Sequence, residues 1–113
     1  MAKIIKIPSV FVYDSKVVGV SKLNDDGSSR QEIILREVQE GDALFLEAEP
    51  DNPYDANAVK VLSEKKNQIG YLSSSLAEKV KPAMDNQTEI IVRASWVNGE
   101  KMKGVGLRIE LIS

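Results

Sequence analysis

The chain contains no cysteine and no histidine. The first absence excludes a disulfide framework and thiolate chemistry. The two together exclude Ser-His-Asp and Cys-His nucleophilic sites and the usual Cys/His zinc sites. Long apolar runs are lacking too, and none approaches the roughly 20 residues that a membrane-crossing helix needs. The start, Met1-Ala2-Lys3-Ile4-Ile5-Lys6-Ile7, is basic but has neither a long apolar stretch nor a small-residue cleavage site. No signal peptide is expected, and the default location is cytoplasmic. An excess of positive charge is also missing. With a net charge of −2, nothing attracts nucleic acid or an anionic membrane to the molecule as a whole, so such binding needs a local patch.

What is present fits one domain, 1–113. A chain of 113 residues can bury one hydrophobic core and is too short for two. No internal repeat or low-complexity linker interrupts it. Residues 3–13 carry Ile4, Ile5, Ile7, Val10, Phe11 and Val12 around Pro8, which predicts an edge strand or extended arm. Residues 16–23 predict a β-branched strand, in which Gly19 signals a bulge or a close backbone approach. Asn24-Asp25-Asp26-Gly27-Ser28 is a turn cluster. Ser29-Arg30-Gln31-Glu32 then fits a capping box, opening a short helix from about Arg30 to Val38 that Gly41 stops. Arg30 and Arg36 read as solvated helix charges.

Strands are expected at 43–46, 58–62 and 68–72, with a turn at Lys65-Lys66-Asn67. Ser75-Leu76-Ala77-Glu78 reads as a second capping box, and Pro82 should kink or end its helix about two turns in. Residues 88–97 form a long strand. Asn98-Gly99 is the strongest short hairpin signal, and residues 104–112 return with alternating polarity. Arg93 and Arg108 read as solvent-facing cross-strand partners for glutamates. Five or six short strands with two short helices, not alternating as βαβ units, argue for a mainly antiparallel sheet curled on itself. A small, partly open, OB-like β-barrel is the natural closure.

The most informative stretch lies between the first and second of these central strands: Glu49-Pro50-Asp51-Asn52-Pro53-Tyr54-Asp55-Ala56-Asn57-Ala58. Two prolines fix φ and push their preceding residues towards extended geometry. Asn52 and Asp55 can fold back on nearby amides as Asx-turns. The result is an ordered loop carrying Tyr54, which is either a plug for the core or a platform for something flat. Asp55 has a capping reading, on the Asn57 amide, beside any functional one, and Asn52 a structural one. Tyr71 and Trp96 read as half-buried strand aromatics. Glu47, Glu49, Asp51 and Asp55 invite a metal or two-carboxylate reading, but Pro53 and Ala56 stand where an EF-hand needs a ligand and a glycine. No cofactor is expected, and a carboxylate-dependent nuclease is the one enzymatic alternative.

With these residues laid out, the chain resembles the HIRAN domain family. The matching pieces are Val17-Val18-Gly19-Val20, Ser29-Arg30-Gln31-Glu32, Gly41-Asp42, the 49–61 string and Ile69-Gly70-Tyr71-Leu72, covering roughly 17–84. Such modules stand in front of helicase-like, SWI/SNF-type remodelling enzymes in eukaryotes and occur as stand-alone proteins in bacteria. The resemblance implies the OB-like barrel and binding of the 3′ end of single-stranded DNA. It implies that Tyr54 stacks on the terminal base and that Asp55 accepts a hydrogen bond from the free 3′-hydroxyl. Asn52 would shape that pocket, and the backbone of Val18, Gly19 and Val20 would approach the last nucleotides. Ser21, Lys22 and Tyr71 complete the expected DNA-facing set.

The chain departs from the family where DNA-binding members carry arginine and aromatic residues, here Ser21, Lys22 and Leu23. It departs again where they carry basic residues, here Ser73, Ser74 and Ser75. Lys22 is expected to replace one phosphate contact, with Lys60, Lys65 and Lys66 near the same face. The expected partners are a single-stranded DNA end and a DNA-processing protein, in a DNA-repair setting. The alternative is a protein-interaction module that keeps the barrel without DNA binding.

Overall fold

The computed structural model describes residues 10–112, so the part of the expected N-terminal arm before Val10 lies outside the described residues. Within them the chain runs β1 (Val10–Lys16), α1 (Arg30–Glu37), β2 (Phe45–Ala48), β3 (Val59–Leu62), β4 (Gln68–Tyr71), α2 (Ser74–Asp85), β5 (Glu89–Asn98) and β6 (Gly104–Ile112). Alternation decides which face of each strand turns inward. Along β6, Val105, Leu107, Ile109 and Leu111 are buried while Arg108 is exposed, and on β5 Val92 and Ala94 are buried around exposed Arg93. These side chains meet Val59, Val61 and Ile69 of the other strands and Ile34 and Val80 of the helices. Burying each large aliphatic side chain stabilises the fold by about 1.5–3 kcal/mol.

The strands form two antiparallel three-stranded sheets, ordered β1-β6-β5 and β2-β3-β4. Two short seams join them. At one, Ala43 bridges Arg93 and the Leu44 amide donates to Val92 O at 2.9 Å. At the other, the Val17 amide donates to Val105 O at 2.9 Å and Val18 bridges Tyr71. The outcome is the expected mainly β, partly open barrel with two helices. β1 pairs only with β6, so its outer edge is unpaired among the described strands, as expected for Val10 to Tyr13.

Several expectations need correction. Residues 16–23 are not a strand. Lys16 ends β1, Val17 turns into the core, and Gly19 at φ 74° swings the chain into a turn closed by the Lys22 amide on Gly19 O at 3.1 Å. The β-branched run 17–20 makes one isolated bridge and a core plug instead of a ladder. The segment predicted as strand 43–46 is divided between two sheets, sealing to β5 with its first residues and pairing with β3 from Phe45. α1 is capped as predicted, with Ser29 Oγ accepting from the Glu32 amide at 3.2 Å, but it stops at extended Val38 before Gly41 is reached.

α2 is capped by Ser73, whose Oγ accepts from the Leu76 amide, rather than by Ser75. The helix continues through Pro82 to Asp85, because Ala83 and Met84 pack on the core and outweigh one lost backbone bond at an exposed position. The β5–β6 hairpin forms, but Asn98 pairs with Gly104, so its connection is residues 99–103 and not a two-residue turn. Arg93 and Arg108 sit opposite each other, and Arg108 turns to Asp14 and Glu110.

The second seam depends on the absence of a side chain at Gly70. A Cβ there would lie 2.4 Å from Val18 O and 2.4 Å from Val17 Cγ1. Gly70→Ala should therefore destabilise the protein by about 1–3 kcal/mol through overpacking. The check is urea denaturation: a lower midpoint is expected, and an unchanged one would mean that residues 17–18 are not held against β4.

Candidate nucleic-acid interface

Asn52 builds the 49–58 loop. Its Oδ1 accepts from the amides of Tyr54 at 2.8 Å and Asp55 at 3.0 Å, an Asx arrangement set up by the prolines on either side. Its Nδ2 donates to Glu49 Oε1 at 2.7 Å, and its own amide donates to Glu49 O at 3.1 Å. Asp55 Oδ1 accepts from the Asn57 amide at 2.8 Å, and the Glu49 amide closes the loop on Ala58 O at 2.9 Å. With its neighbours' backbone fixed in this way, Tyr54 stands 95% exposed. It is not a core plug.

Glu49 ties the loop to the sheet. The Tyr71 hydroxyl of β4 donates to Glu49 Oε1 at 2.8 Å, and Lys60 Nζ of β3 lies 3.0 Å from Oε2. Partial burial opposes ionisation of this carboxyl, but hydrogen bonds from Asn52, Lys60 and Tyr71 outweigh it and hold it below its ordinary range. Lys60 is shifted upward, first by its hydrogen bond to Glu49 and against the effect of burial.

Facing the loop, Arg30 at the start of α1 lies under the 19–24 turn. Its Nη1 donates to Gly19 O at 2.8 Å, its Nε donates to Asn24 Oδ1 at 2.7 Å, and its Cζ sits 5.3 Å from the centre of the Tyr71 ring. A Cβ at Gly19 would reach 3.0 Å from Nη1, so the close approach that this glycine signals is made by Arg30.

Between these two walls lies an open groove of about 760 Å³. Aromatic surface comes from Tyr54 and Tyr71, cations from Lys22, Arg30 and Lys60, and carboxylates from Asp25, Glu47, Glu49 and Asp51. Among the described residues, no three carboxylates converge as a metal ion requires.

A model of the HIRAN domain matches residues 10–111. The chain belongs to the HIRAN domain family. It is 44% identical over 50 residues to the helicase-like transcription factor of Oryctolagus cuniculus, a match covering 44% of this chain and 5% of that protein. The HIRAN domain of human HLTF superimposes with a TM-score of 0.73 at 24% identity, covering 94% of this chain and 79% of that one. The HLTF HIRAN domain in its DNA-bound conformation gives 0.63. A protein from Lactobacillus plantarum gives 0.75 at 19% identity, over 94% of this chain and 98% of its own. At these identities the structural likeness is one of fold.

The groove of this HIRAN chain gathers Gly19, Lys22, Asn52, Tyr54 and Tyr71, five of the residues singled out in the sequence. Val18 spends its N–H and C=O on Tyr71, at 2.9 and 3.0 Å, and with Val20 and Ser21 lines a neighbouring depression beside Trp96. Asp55 follows Tyr54 on the loop but does not line the groove. Lys65 and Lys66 belong to the β3–β4 turn, where Lys66 covers the Phe45 ring at 3.2 Å. They are not part of the groove, and Ser73, Ser74 and Ser75 start α2 outside it.

Two groups were missed. Arg30, read as solvated, is 7% exposed. Its signal was its spacing, since it precedes Ile33 and Ile34 by three and four residues and so shares their buried helix face. The joining role of Glu49 had no local signal, because two of its three partners come from β3 and β4.

The Glu49 shift gives a pH dependence. A carboxyl whose folded pKa lies below its unfolded value adds stability above about 4.5, lost as pH falls through the folded value. In urea titrations, wild type should exceed Glu49→Gln by a constant margin above pH 4.5, and the margin should shrink as pH falls further. A margin independent of pH would contradict the ion pair and hydrogen bonds as its source.

Proposed function

We propose that this HIRAN chain binds the end of a single DNA strand in the groove between Tyr54 and Tyr71, with the 3′ end as the preferred terminus. The observation that carries this reading is Tyr54, fully exposed yet mounted on a loop whose backbone Asn52 and Asp55 hold in place. An aromatic side chain held out into solvent on an ordered loop has no packing role, while every base offers a π-face on which it can stack. The DNA-bound conformation described for the HLTF HIRAN domain supports DNA as the ligand.

In this reading the strand lies in the groove and its last nucleotide passes over Tyr54, so that Asp55, next on the loop and outside the groove lining, receives the terminal hydroxyl. One of its oxygens holds the Asn57 amide, and the carboxylate retains acceptor capacity for an O–H donor. The same charge repels a phosphate, so a free end is favoured over a phosphorylated or continuing one. The mixed charges of the groove make stacking the larger contribution and keep the salt dependence shallow, since few cations are available to release counterions from DNA. The groove also suits binding over catalysis, having a platform and acceptors but no histidine or cysteine to act as nucleophile or neutral-pH base. A DNA-processing protein is the natural neighbour of such a module.

The carboxylates Asp25, Glu47 and Asp51 favour one other reading, a protein-interaction module whose partner presents basic residues. Fluorescence anisotropy separates the two. An oligonucleotide with a free 3′ end should bind more tightly than its 3′-phosphorylated form. Tyr54→Ala should weaken binding by about 1–3 kcal/mol, roughly 5- to 150-fold. Equal affinity for both ends, or no binding at low salt, would overturn the DNA-end reading.

A further inference from the structure

Arg30 is the one charged residue among the buried residues described, at 7% exposure. Its contacts are all neutral: Asn24 Oδ1, Gly19 O and the face of Tyr71. None of the ion pairs among the described residues includes it. A guanidinium taken out of water without a carboxylate partner is costly, and deprotonation offers it no escape. Of its five N–H donors, the bonds to Asn24 and Gly19 use two. Nη2 has no hydrogen bond within the described residues and is not enclosed, and Arg30 lines the groove. A buried, oriented, uncompensated cation at the wall of a groove is an arrangement for an anion that comes from outside.

We propose that Arg30 is the phosphate-binding residue of the groove, holding one backbone phosphate of the strand seated there, with Lys22 as the second cation. The inference rests on the single-strand reading above and identifies where its backbone grip lies. Arg30 is immobilised by Asn24 and Gly19 before any ligand arrives, so its remaining N–H donors are held in fixed directions and it loses little side-chain freedom on binding. Asn24 is itself fixed, donating through Nδ2 to Ser28 Oγ and to Gln68 O, both at 3.0 Å. The carboxylates of Asp25, Glu47 and Asp51 also face the groove, and none lies within ion-pair distance of Arg30. They oppose a longer phosphate path, which confines the grip to about one position. The cation also covers one face of Tyr71, so the residue that holds the phosphate braces the aromatic wall.

The test combines two measurements. In anisotropy titrations with a short oligothymidylate across a range of salt, Arg30→Gln should bind more weakly and lower the slope of log K against log salt by about 0.7. In wild-type protein, the side-chain N–H resonances of Arg30 should shift saturably with the oligonucleotide and, at higher concentration, with inorganic phosphate. Oligonucleotide binding that leaves both the Arg30 resonances and the salt slope unchanged would overturn the inference and leave the DNA-end reading standing. A saturable response to phosphate without oligonucleotide binding would support the anion subsite and overturn the reading of a DNA end. No response to either would overturn both. The wild-type resonances decide the matter even if Arg30→Gln fails to fold.

Discussion

The carboxylate of Glu49 is the contact on which the rest of the site depends. One group just past β2 accepts from the loop through Asn52, from β4 through the Tyr71 hydroxyl, and from β3 through Lys60. These three partners come from three separate segments of the chain, and no backbone ladder joins the loop tip to β4. Without that acceptor, the Tyr71 hydroxyl and the Asn52 amide would turn to water, and the two aromatic walls would lose their common reference. An exposed ion pair contributes little to stability. This one is about three-quarters screened from solvent and shares its carboxylate with two neutral donors, which is where its ordering effect arises.

The opposite wall is organised by a different logic. Gly19 turns the chain after Val18 has bridged β4, and the carbonyl so exposed is taken by Arg30 from α1. Helix, turn and strand therefore meet at a guanidinium, with Tyr71 stacked beneath it. Tyr71 lies between the two centres, its hydroxyl bound to the anion and its face covered by the cation. The centre of the groove thus consists of an ion pair, an anchored guanidinium and the Tyr71 ring between them. Such a surface gains affinity from stacking and orientation and only secondarily from net charge.

What could be read from the sequence was local. The Ser29 cap, the alternation along β6, the 65–67 turn and the Asx-turns of Asn52 and Asp55 each follow from residues a few positions apart. The family string 49–61 supplied the barrel topology that strand counting alone could only outline. What escaped depended on contacts distant in sequence. Residues 16–23 have strand composition, but Val17 is drawn into the core and Gly19 is needed for an arginine eleven positions on. Pro82 is a helix breaker overridden by packing, and Asn98-Gly99 begins a longer connection than its dipeptide suggests. Arg30 was legible in principle from its helix face.

A site built before its ligand arrives requires Glu49 to hold the loop to the sheet. Backbone ¹⁵N order parameters of Tyr54, Asp55 and Asn57 in the free protein address it directly. Values near 0.85, typical of rigid backbone, are expected in the wild type, falling towards about 0.6 in Glu49→Ala, which removes the acceptor altogether. Values below about 0.6 in the free wild-type protein, or no change on removing the carboxylate, would contradict it.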